Sequence, residues 1–399
     1  MNQWQKNLYI LWFTQFLSLT GFGFMMPFIP LYLQELGISS STELRIWVGL
    51  ITAIPSLFMG VMAPLWGILS DRIGRKIMIL RSMAAGAIVV GLMGLVGNVE
   101  TVFILRLCQG LFTGTITASA TLVAAGTPGR KLSYALGFLS SSTYIGFSFG
   151  PLLGGLAAEL LGYRRSFFIG SIVIFTGFIL VLLFIREIKT EVEAPVPEVR
   201  SFSLKALVMP PFVILFLLIL LVRFCRTLPN PFIPLYVQEM RAAIQGTAAI
   251  TGIIIASTGL ATAVSGLTIA RLGDRYNRVS LIGLFLGIAS LSALPIFFTR
   301  SLLWFVLFFP LAFYFIGAVE PLLQSHLSAN VPPRNRGILM GLQTTAGSIG
   351  WFLSPLTASA ISIYLSIKHI FIFFSLSLFL TFLVIVVYRL RSVKTFRNV

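Results

Sequence analysis

One acidic residue lies inside a long apolar segment of the chain and is the residue best suited to bind and release a proton. The sequence has 12 Asp and Glu residues, and every one except Glu320 falls at the end of an apolar segment or in a polar connection. An ionisable group within a membrane costs about 2.5 kcal/mol or more and normally faces a cavity or a partner. Burial favours the neutral acid, whereas a nearby arginine favours the carboxylate. We therefore predict that Glu320 carries a proton.

Three arginines also lie inside apolar segments. Arg223 and Arg226 are three positions apart and share one face of a helix, whereas Arg106 lies in an earlier segment. The simplest prediction is that Glu320 pairs with Arg223 or Arg226 in one state and that protonation weakens this ion pair. Two alternatives remain open: the pair is a static structural bridge, or the excess of arginine binds an anionic substrate.

Other polar side chains of the apolar segments are predicted to line a cavity with these charges. The candidates for contact with a small-molecule substrate are Arg106, Arg223, Arg226, Gln15, Gln109, Tyr144, Tyr314 and Gln343. The sequence shows no nucleophile and base arrangement, no metal-binding spacing and no phosphate-binding loop. It therefore predicts no catalytic residue, no metal, no cofactor and no enzymatic activity.

The composition indicates what kind of element positions these residues. Hydrophobic residues make up 57% of the 399 and charged residues only 10%, compared with roughly 45–50% and about 25% in soluble domains. Too few charges are present to cover a water-exposed surface, so most of the exterior faces the lipid bilayer. The net charge of +17 does not indicate a nucleic-acid partner, because nearly all Lys and Arg residues lie in short connections.

The apolar segments are long enough to cross a membrane as helices, which takes about 20 residues each. We predict twelve spans near 8–33, 46–69, 77–97, 101–125, 134–160, 166–186, 208–236, 248–271, 279–298, 302–329, 336–362 and 369–390. The polar stretch 187–206 is predicted to be a cytoplasmic linker. The fold class is therefore an all-α membrane protein, with an N-terminal six-helix bundle at 1–186 and a C-terminal six-helix bundle at 207–399.

The positive charges predict the orientation of the chain. With the N-terminus inside the cell, the inner connections hold 20 Lys and Arg residues, the outer connections hold 6, and the spans hold the remaining three. Arg81 is counted here with the inner connection between spans 2 and 3. Cytoplasmic connections carry the excess of positive charge in membrane proteins. We therefore predict a multi-pass protein of the cell (inner or plasma) membrane with both termini in the cytoplasm.

The two halves of the chain repeat each other at a fixed offset. The hexapeptide PFIPLY occurs at 27–32 and again at 231–236, an offset of 204 residues. Gly146 and Pro151 in span 5 match Gly350 and Pro355 in span 11 at the same offset. Transporters built from such repeats place their binding site between the repeats, near the middle of the membrane.

Residues 67–76 (GILSDRIGRK) resemble the signature loop between helices 2 and 3 of the major facilitator superfamily, and 106–110 (RLCQG) resembles its helix 4 motif. The resemblance covers essentially the whole chain and implies that the loop latches the two halves in one state. The gating residues that it implies are Gly67, Asp71, Arg72, Gly74 and Arg75, with Asp274 and Arg275 in the second half. The chain departs from the family pattern in one respect, because 122–131 contains no acid to pair with the loop arginine. This absence predicts that the loop uses other contacts to latch the halves.

Residues 146–155 (GFSFGPLLGG) are similar to the family's helix 5 motif, which is associated with antiporters. The motif positions are Gly146, Gly150, Pro151, Gly154 and Gly155. Proline removes an intrahelical donor and permits a bend, and glycines let neighbouring helices approach closely. Together the three motifs imply a twelve-span drug:proton antiporter, similar to bacterial multidrug and tetracycline exporters.

The resemblance also implies that helices 1, 4, 7 and 10 line a central cavity, which Glu320 and the three arginines would then face. The expected function is export of amphipathic or lipophilic small molecules by a monomer, driven by inward flow of protons, with alternating access to the cavity. The alternative is a proton-coupled transporter of a small organic anion or sugar derivative, which would use the arginines as ligands. The alternative of another class is a non-transporting membrane receptor or scaffold.

Overall fold

A computed structural model of the protein describes residues 2–128, 131–187, 210–299, 301–329 and 336–395. These residues form α-helices and short 3₁₀ helices joined by turns, with no β-strand among them. The predicted linker at 187–206 lies outside the described residues, with the exception of Glu187.

Twelve helical stretches of the described chain are long and apolar enough to cross a membrane, which confirms the predicted number. These spans, numbered 1 to 12 in chain order, are Gln3–Glu35, Ser41–Ser70, Arg75–Met93, Val99–Gly126, Tyr134–Leu161, Tyr163–Phe184, Phe212–Arg241, Thr247–Gly273, Arg278–Phe298, Leu302–Leu327, Gly341–Tyr364 and His369–Leu390. Their ends differ from the predicted ones by a few residues, because several helices continue into polar residues beyond the apolar run.

Spans 1, 4, 7 and 10 are each interrupted, which their apolar length does not reveal. The helical pieces of span 1 are Gln3–Gly23, Met26–Phe28 and Ile29–Glu35, and those of span 4 are Val99–Phe112 and Thr115–Gly126. The pieces of span 7 are Pro210–Thr227, Asn230–Phe232 and Ile233–Arg241. The pieces of span 10 are Leu302–Gly317 and Val319–Ala329. The other α-helices are Ser41–Ile73, Arg75–Met93, Leu132–Leu161, Tyr163–Phe184, Thr247–Leu267, Arg278–Phe298, Arg336–Tyr364 and His369–Thr395, and a 3₁₀ helix, Ile269–Asp274, ends span 8.

The interruptions follow the repeat. The 3₁₀ helix Met26–Phe28 corresponds to Asn230–Phe232 at the offset of 204, and each contains a proline, which lacks the N–H that a continuous helix requires. In span 4, Gly114 has a φ of +144°, a conformation that residues with a side chain rarely adopt. Non-helical backbone within a membrane is tolerated only where protein or a water-filled cavity surrounds it. Each interruption is therefore a place where a site is expected within its own unit.

The chain divides into two compact units. Unit 1 is Met1–Val196 with Ile233–Gly259, and unit 2 is Pro197–Phe232 with Leu260–Val399. Ile233–Gly259 belongs to the second half of the sequence repeat but clusters with the helices of the first half. The predicted bundle boundaries at 186 and 207 follow the repeat instead, and they stay a prediction.

In unit 1, span 5 packs closely on span 1. A Cβ atom at Gly150 would lie 2.8 Å from both the Cα of Gly23 and the carbonyl oxygen of Thr20, and one at Gly154 would lie 2.5 Å from the Cα of Phe24. Backbones approach this closely only where side chains are small. The other face of span 5 contacts the start of span 8, where a Cβ at Gly155 would lie 2.5 Å from the carbonyl oxygen of Ala248.

Polar contacts add to this packing at the end of unit 1 that is predicted to face outward. Gln34 donates a hydrogen bond to Gln238 over 3.2 Å, and these two residues are equivalent in the repeat. The carboxylate of Glu159 at the end of span 5 accepts a hydrogen bond from the backbone N–H of Gly246 over 2.6 Å. Spans 1 and 5 are therefore joined to the adjacent pieces of spans 7 and 8 by side-chain bonds as well as by glycines.

In unit 2, span 11 packs on span 7 in the way that span 5 packs on span 1. A Cβ at Gly146 would meet backbone atoms of Phe16 and Thr20, and a Cβ at Gly350 would meet those of Leu220 and Phe224, each shifted by 204 residues. The repeat is therefore preserved at the level of atomic contacts. One turn further along, the two halves differ. The hydroxyl of Ser354 in span 11 donates to the carbonyl oxygen of Phe224 over 2.7 Å, whereas the equivalent residue of span 5 is Gly150.

Candidate functional site

The interruption of span 10 determines where Glu320 lies. The first piece of the span ends at Gly317, and Glu320 occupies the first turn of the second piece, Val319–Ala329. Pro321 suits this place because the first residues of a helix have no N–H bonds to lose. A carboxylate in the first turn is also favoured by the helix dipole. The chain therefore presents its intramembrane acid at a helix start rather than in the middle of a continuous helix.

Both arginines of span 7 contact this carboxylate within unit 2. Nε of Arg223 donates to Oε1 of Glu320 over 2.9 Å, and Nη2 of the same guanidinium lies 2.8 Å from that oxygen. Nη1 of Arg226 donates to the other oxygen, Oε2, over 3.2 Å. Gln324, one turn further along span 10, makes a long bond of 3.5 Å to Oε1. The structure thus brings the predicted acid together with both candidate arginines, not one.

Span 11 supports Arg223 from its other side. The guanidinium carbon lies 4.5 Å from the centre of the Trp351 ring, in a cation–π contact. Gly347, one turn earlier, has no side chain, and a Cβ there would collide with the guanidinium. Spans 7, 10 and 11 therefore fix the position of Arg223 together, and an aromatic face and a carboxylate share its charge.

The cluster of Arg223, Arg226 and Glu320 is neither sealed nor freely exposed. The side chains of Arg223, Glu320 and Arg226 retain 12%, 16% and 22% of their full exposure. At this degree of burial, the ionic bonds of the carboxylate are only weakly screened by solvent. Charge-assisted hydrogen bonds are roughly twice as strong as neutral ones. Protonation of Glu320 would remove the negative charge and leave two guanidinium groups without an anionic partner.

Arg106 has its own hydrogen-bond partners in unit 1. It is 1% exposed, its Nε donates to the carbonyl oxygen of Ile51 over 3.0 Å, and its Nη1 donates to Oε1 of Gln109 over 2.5 Å. The helix 4 motif therefore forms a bond between its own arginine and glutamine. A role of Arg106 and Gln109 in substrate contact stays a prediction.

The remaining predicted cavity residues lie in both units. In unit 1, Gln15 is buried and its Nε2 donates to Thr143 over 2.7 Å, while its Oε1 lacks a hydrogen-bond partner among the described residues, and Tyr144 is half-buried. In unit 2, the hydroxyl of Tyr314 lies 2.9 Å from that of Thr268, and Gln343 is buried. Their contact with a substrate stays a prediction.

The signature loop is anchored by a residue that sequence reasoning assigned to the linker. Oε1 of Glu187 accepts a hydrogen bond from the backbone N–H of Arg75 over 2.5 Å, at the N-terminus of span 3. Lys76 donates to the carbonyl oxygen of Leu182 in span 6 over 2.8 Å. The loop turns at Gly74, whose φ is +106°. The described contacts of the loop are therefore with the end of span 6, in a chain that has no acid in 122–131.

The other gating residues show fewer contacts. A Cβ at Gly67 would meet no atom within 4 Å, so close packing does not explain that glycine. Arg72 is exposed. Arg275 follows the 3₁₀ helix that ends span 8, whereas the side chains of Asp71 and Asp274 lie outside the described residues. The gating role of all these residues stays a prediction.

One arginine was counted wrongly from the sequence. Arg81 lies inside the helix Arg75–Met93, not in the connection before it, and its guanidinium carbon lies 3.5 Å from the centre of the Trp66 ring. The predicted span 77–97 already contained this residue, so the error was to assign its charge to the connection before the span. The spans therefore hold one more cation than predicted, and this cation is partly buried.

No group of three or more His, Cys, Asp or Glu residues that could hold a metal ion occurs in the part of the chain that the structure describes. Cys225 contacts the hydroxyls of Ser377 and Thr381.

Comparison with known proteins decides the family. The family model described as Major Facilitator Superfamily matches residues 11–355 and 215–398. The chain belongs to the major facilitator superfamily. It is therefore a membrane transporter of small molecules rather than an enzyme, embedded in the cell membrane by its twelve spans.

Relatives and solved structures agree with this assignment. The transporter is 32% identical to "Multidrug resistance protein MdtG" of Proteus mirabilis (strain HI4320), with 93% of each chain covered. It is 34% identical to the protein of the same name from Salmonella arizonae, over 92% of this chain and 91% of the relative.

Two solved structures show the same fold. A bacterial homologue of the human lysosomal transporter Spinster, in an inward-facing and occupied conformation, gives a TM-score of 0.79 at 15% identity and covers 98% of this chain and 97% of its own. The human organic anion transporter MFSD10 gives a TM-score of 0.72 at 18% identity, with 96% and 100% covered. Identities this low show the fold alone.

Proposed function

We propose that this transporter exports amphipathic or lipophilic small molecules in exchange for protons, by alternating access and with one chain as the transporting unit. The names of the relatives as multidrug resistance proteins support the substrate class. The observation that carries the proposal is the pairing of Glu320 with both Arg223 and Arg226 inside the membrane spans. A carboxylate held in this way is stable as an anion, and it loses its main bonds when it gains a proton.

The proposed cycle depends on the difference in bonding between ionised and protonated Glu320. With Glu320 ionised, its two oxygens hold the arginines of span 7 against span 10. A proton that enters from outside binds to the carboxylate, and the ion pairs to Arg223 and Arg226 weaken. The chain then releases the proton on the cytoplasmic side, where the pairs re-form as the next substrate is taken up. One proton enters per cycle through this group, and a drug leaves in the opposite direction.

Alternating access requires the outer contacts of unit 1 to separate and re-form. The bonds between Gln34 and Gln238 and between Glu159 and the Gly246 N–H are few and exposed or part-buried, so they can break at small cost. The glycine contacts of span 5 can re-form without side-chain rearrangement. This combination suits a surface that opens and closes repeatedly.

A second candidate function is favoured by the charge of the cluster. Two arginines face one glutamate, so the cluster keeps a net positive charge even when Glu320 is ionised. Such a site attracts a small organic anion rather than a lipophilic cation. In that case the substrate's anionic group would compete with Glu320 for the guanidinium groups.

The test is transport into proteoliposomes with an acidic lumen, using a lipophilic cation (ethidium) and an amphipathic anion (8-anilinonaphthalene-sulfonate) as probes. We expect the wild type to accumulate ethidium and Glu320→Gln to accumulate none. Glu100→Gln is the matched control, because Glu100 also lies in the first turn of a helix but is exposed, and it should behave as wild type.

The outcomes separate the two functions. Accumulation of the anion without the cation would favour the second candidate, and accumulation of ethidium by Glu320→Gln at the wild-type rate would contradict proton coupling through this residue. Collapse of the pH gradient with a protonophore should abolish uptake in every active variant.

A further inference from the structure

Arg81 is a second charged residue inside the spans that the proposed cycle does not use. It lies six residues beyond Arg75, the first residue of its helix, which places it about 9 Å along the helix axis. It is partly buried in unit 1, where span 3 faces spans 2 and 4. An arginine at this depth normally has an anionic or carbonyl partner.

Trp66 of span 2 contacts this arginine and is itself held by contacts with span 4. Its Nε1 donates to the carbonyl oxygen of Leu111 over 2.8 Å, and its ring lies 6.3 Å from that of Phe112. Span 4 is interrupted directly after Phe112, where its helical hydrogen-bond ladder stops. The indole N–H therefore bonds to a backbone carbonyl oxygen that the interruption leaves available. The face of the ring lies toward the Arg81 guanidinium, whose carbon is 3.5 Å from the ring centre.

Two N–H groups in the plane of the Arg81 guanidinium lack a hydrogen-bond acceptor. Nε and Nη1 of Arg81 are both buried, and neither has a hydrogen-bond partner among the described residues. No carboxylate among the side chains that the structure describes lies within 4.0 Å of it. The Trp66 ring attracts the positive charge through its face but offers no acceptor to the in-plane N–H groups. Two buried N–H groups of a cation without an acceptor are costly, and an oxygen that carries negative charge would satisfy them.

We propose that Arg81 and Trp66 form a binding site for one oxyanion group, a carboxylate or a phosphate, among spans 2, 3 and 4 of unit 1. The guanidinium donates to the anion through its unpartnered N–H groups, while the indole covers one face. The anion can be the head of a transported amphipathic acid or the headgroup of a membrane lipid. This site does not depend on the proposed function, because the Glu320 cluster lies in unit 2.

The test uses the full-length protein in nanodiscs and has two arms. In the first, octanoate is titrated into phosphatidylcholine nanodiscs and binding is measured by calorimetry, with octylammonium as the chain-matched cation and empty nanodiscs as the blank. In the second, the nanodiscs contain phosphatidylcholine and phosphatidylglycerol, and native mass spectrometry counts the anionic lipids that remain bound.

Three variants accompany the wild type in both arms. Arg81→Gln removes the charge, and Arg81→Lys keeps the charge but loses the planar donor array. Arg164→Gln is the control, because Arg164 also lies near an aromatic ring, that of Tyr32 at 6.0 Å, but is exposed and paired with Glu35. Size-exclusion chromatography checks the fold of each variant.

We expect the wild type to bind an oxyanion in at least one arm, and Arg81→Gln to weaken that binding by about tenfold or more, equivalent to 1.4 kcal/mol. Arg81→Lys should retain part of the affinity, and it serves as the test if Arg81→Gln does not fold. Arg164→Gln should bind as wild type. Binding of octanoate identifies a site for a free amphipathic acid, whereas binding of phosphatidylglycerol alone identifies a lipid site. Equal binding by the wild type and both Arg81 variants, or no anion binding in either arm, would overturn the proposal.

Discussion

Glu320 and Arg223 are 97 residues apart in sequence, yet one oxygen of the carboxylate accepts from Nε of the guanidinium at 2.9 Å and lies 2.8 Å from its Nη2. Because both nitrogens use the same oxygen, the second carboxylate oxygen is left for Arg226 at 3.2 Å. A single protonation event therefore affects two arginines of span 7 at once. This relationship connects the charge state of span 10 to the position of span 7.

The first prediction concerns the stability of this cluster. Arg223→Ala leaves the carboxylate of Glu320 with one arginine, and we expect the free energy of unfolding to fall by about 3 kcal/mol. In a Glu320→Gln background the same change should cost less, with a coupling energy of about 1–3 kcal/mol. Reversible unfolding in mixed micelles measures all four proteins. Arg164→Ala is the control, because its pair with Glu35 is 3.8 Å long and both side chains are 44% exposed, which predicts a loss below about 1 kcal/mol.

The second prediction separates function from stability. Gly347→Ala adds a Cβ that would collide with the guanidinium of Arg223, the flexible end of a long side chain. We expect a smaller loss of unfolding free energy than for Arg223→Ala, because the Arg223 side chain can move, and a shifted pH dependence of ethidium transport, because the bond to Glu320 is disturbed. Gly341→Ala on the same helix meets no atom within 4 Å and should transport as wild type. Identical pH profiles for the two variants would show that the position of Arg223 is unimportant.

The third prediction concerns the helix 5 motif. Gly150→Ala places a Cβ 2.8 Å from the backbone of Gly23 and Thr20, so the two helices must separate, at a cost of about 1–3 kcal/mol. Gly137→Ala in the same span has open space around it and should raise stability by about 0.5–1 kcal/mol through helix propensity. Unfolding of both variants measures the difference, and equal stabilities would show that close packing at Gly150 is not required.

The fourth prediction concerns the loop anchor. Glu187→Ala removes the acceptor for the Arg75 N–H, which should destabilise the first turn of span 3 by about 1 kcal/mol. Glu187→Gln keeps an oxygen at that place and should retain most of the bond. Hydrogen exchange of the first turn of span 3 reports the effect directly. Equal exchange in Glu187→Ala and wild type would mean that the carboxylate does not hold the loop.

The spans and the repeat were predictable because both depend on properties that a sequence displays directly. Apolar length determines which segments cross a membrane, and the offset of 204 that relates the PFIPLY hexapeptides also relates the contacts of Gly146 and Gly350. The isolation of Glu320 among apolar residues identified it as a candidate, and the spacing of Arg223 and Arg226 correctly placed both on the face that meets it.

Other features depend on tertiary contacts and were not predictable. The interruptions of spans 1, 4, 7 and 10 occur inside uniformly apolar stretches, although the prolines of the hexapeptides were a usable signal. The support of Arg223 by Trp351 joins residues 128 positions apart, and no local pattern indicates it. Glu187 was assigned to the linker because its charge suited a polar stretch, whereas its partner is a backbone N–H that has no sequence signature.

The most direct test of the central claim counts protons. Purified protein in weakly buffered detergent solution with a pH indicator dye is mixed with ethidium at a pH where Glu320 is partly protonated in the wild type. If this residue exchanges its proton for the substrate, the wild type releases protons in proportion to bound ethidium, and Glu320→Gln binds ethidium without any release. Equal proton release from the two proteins would contradict the account, because the exchanged proton would then come from another group.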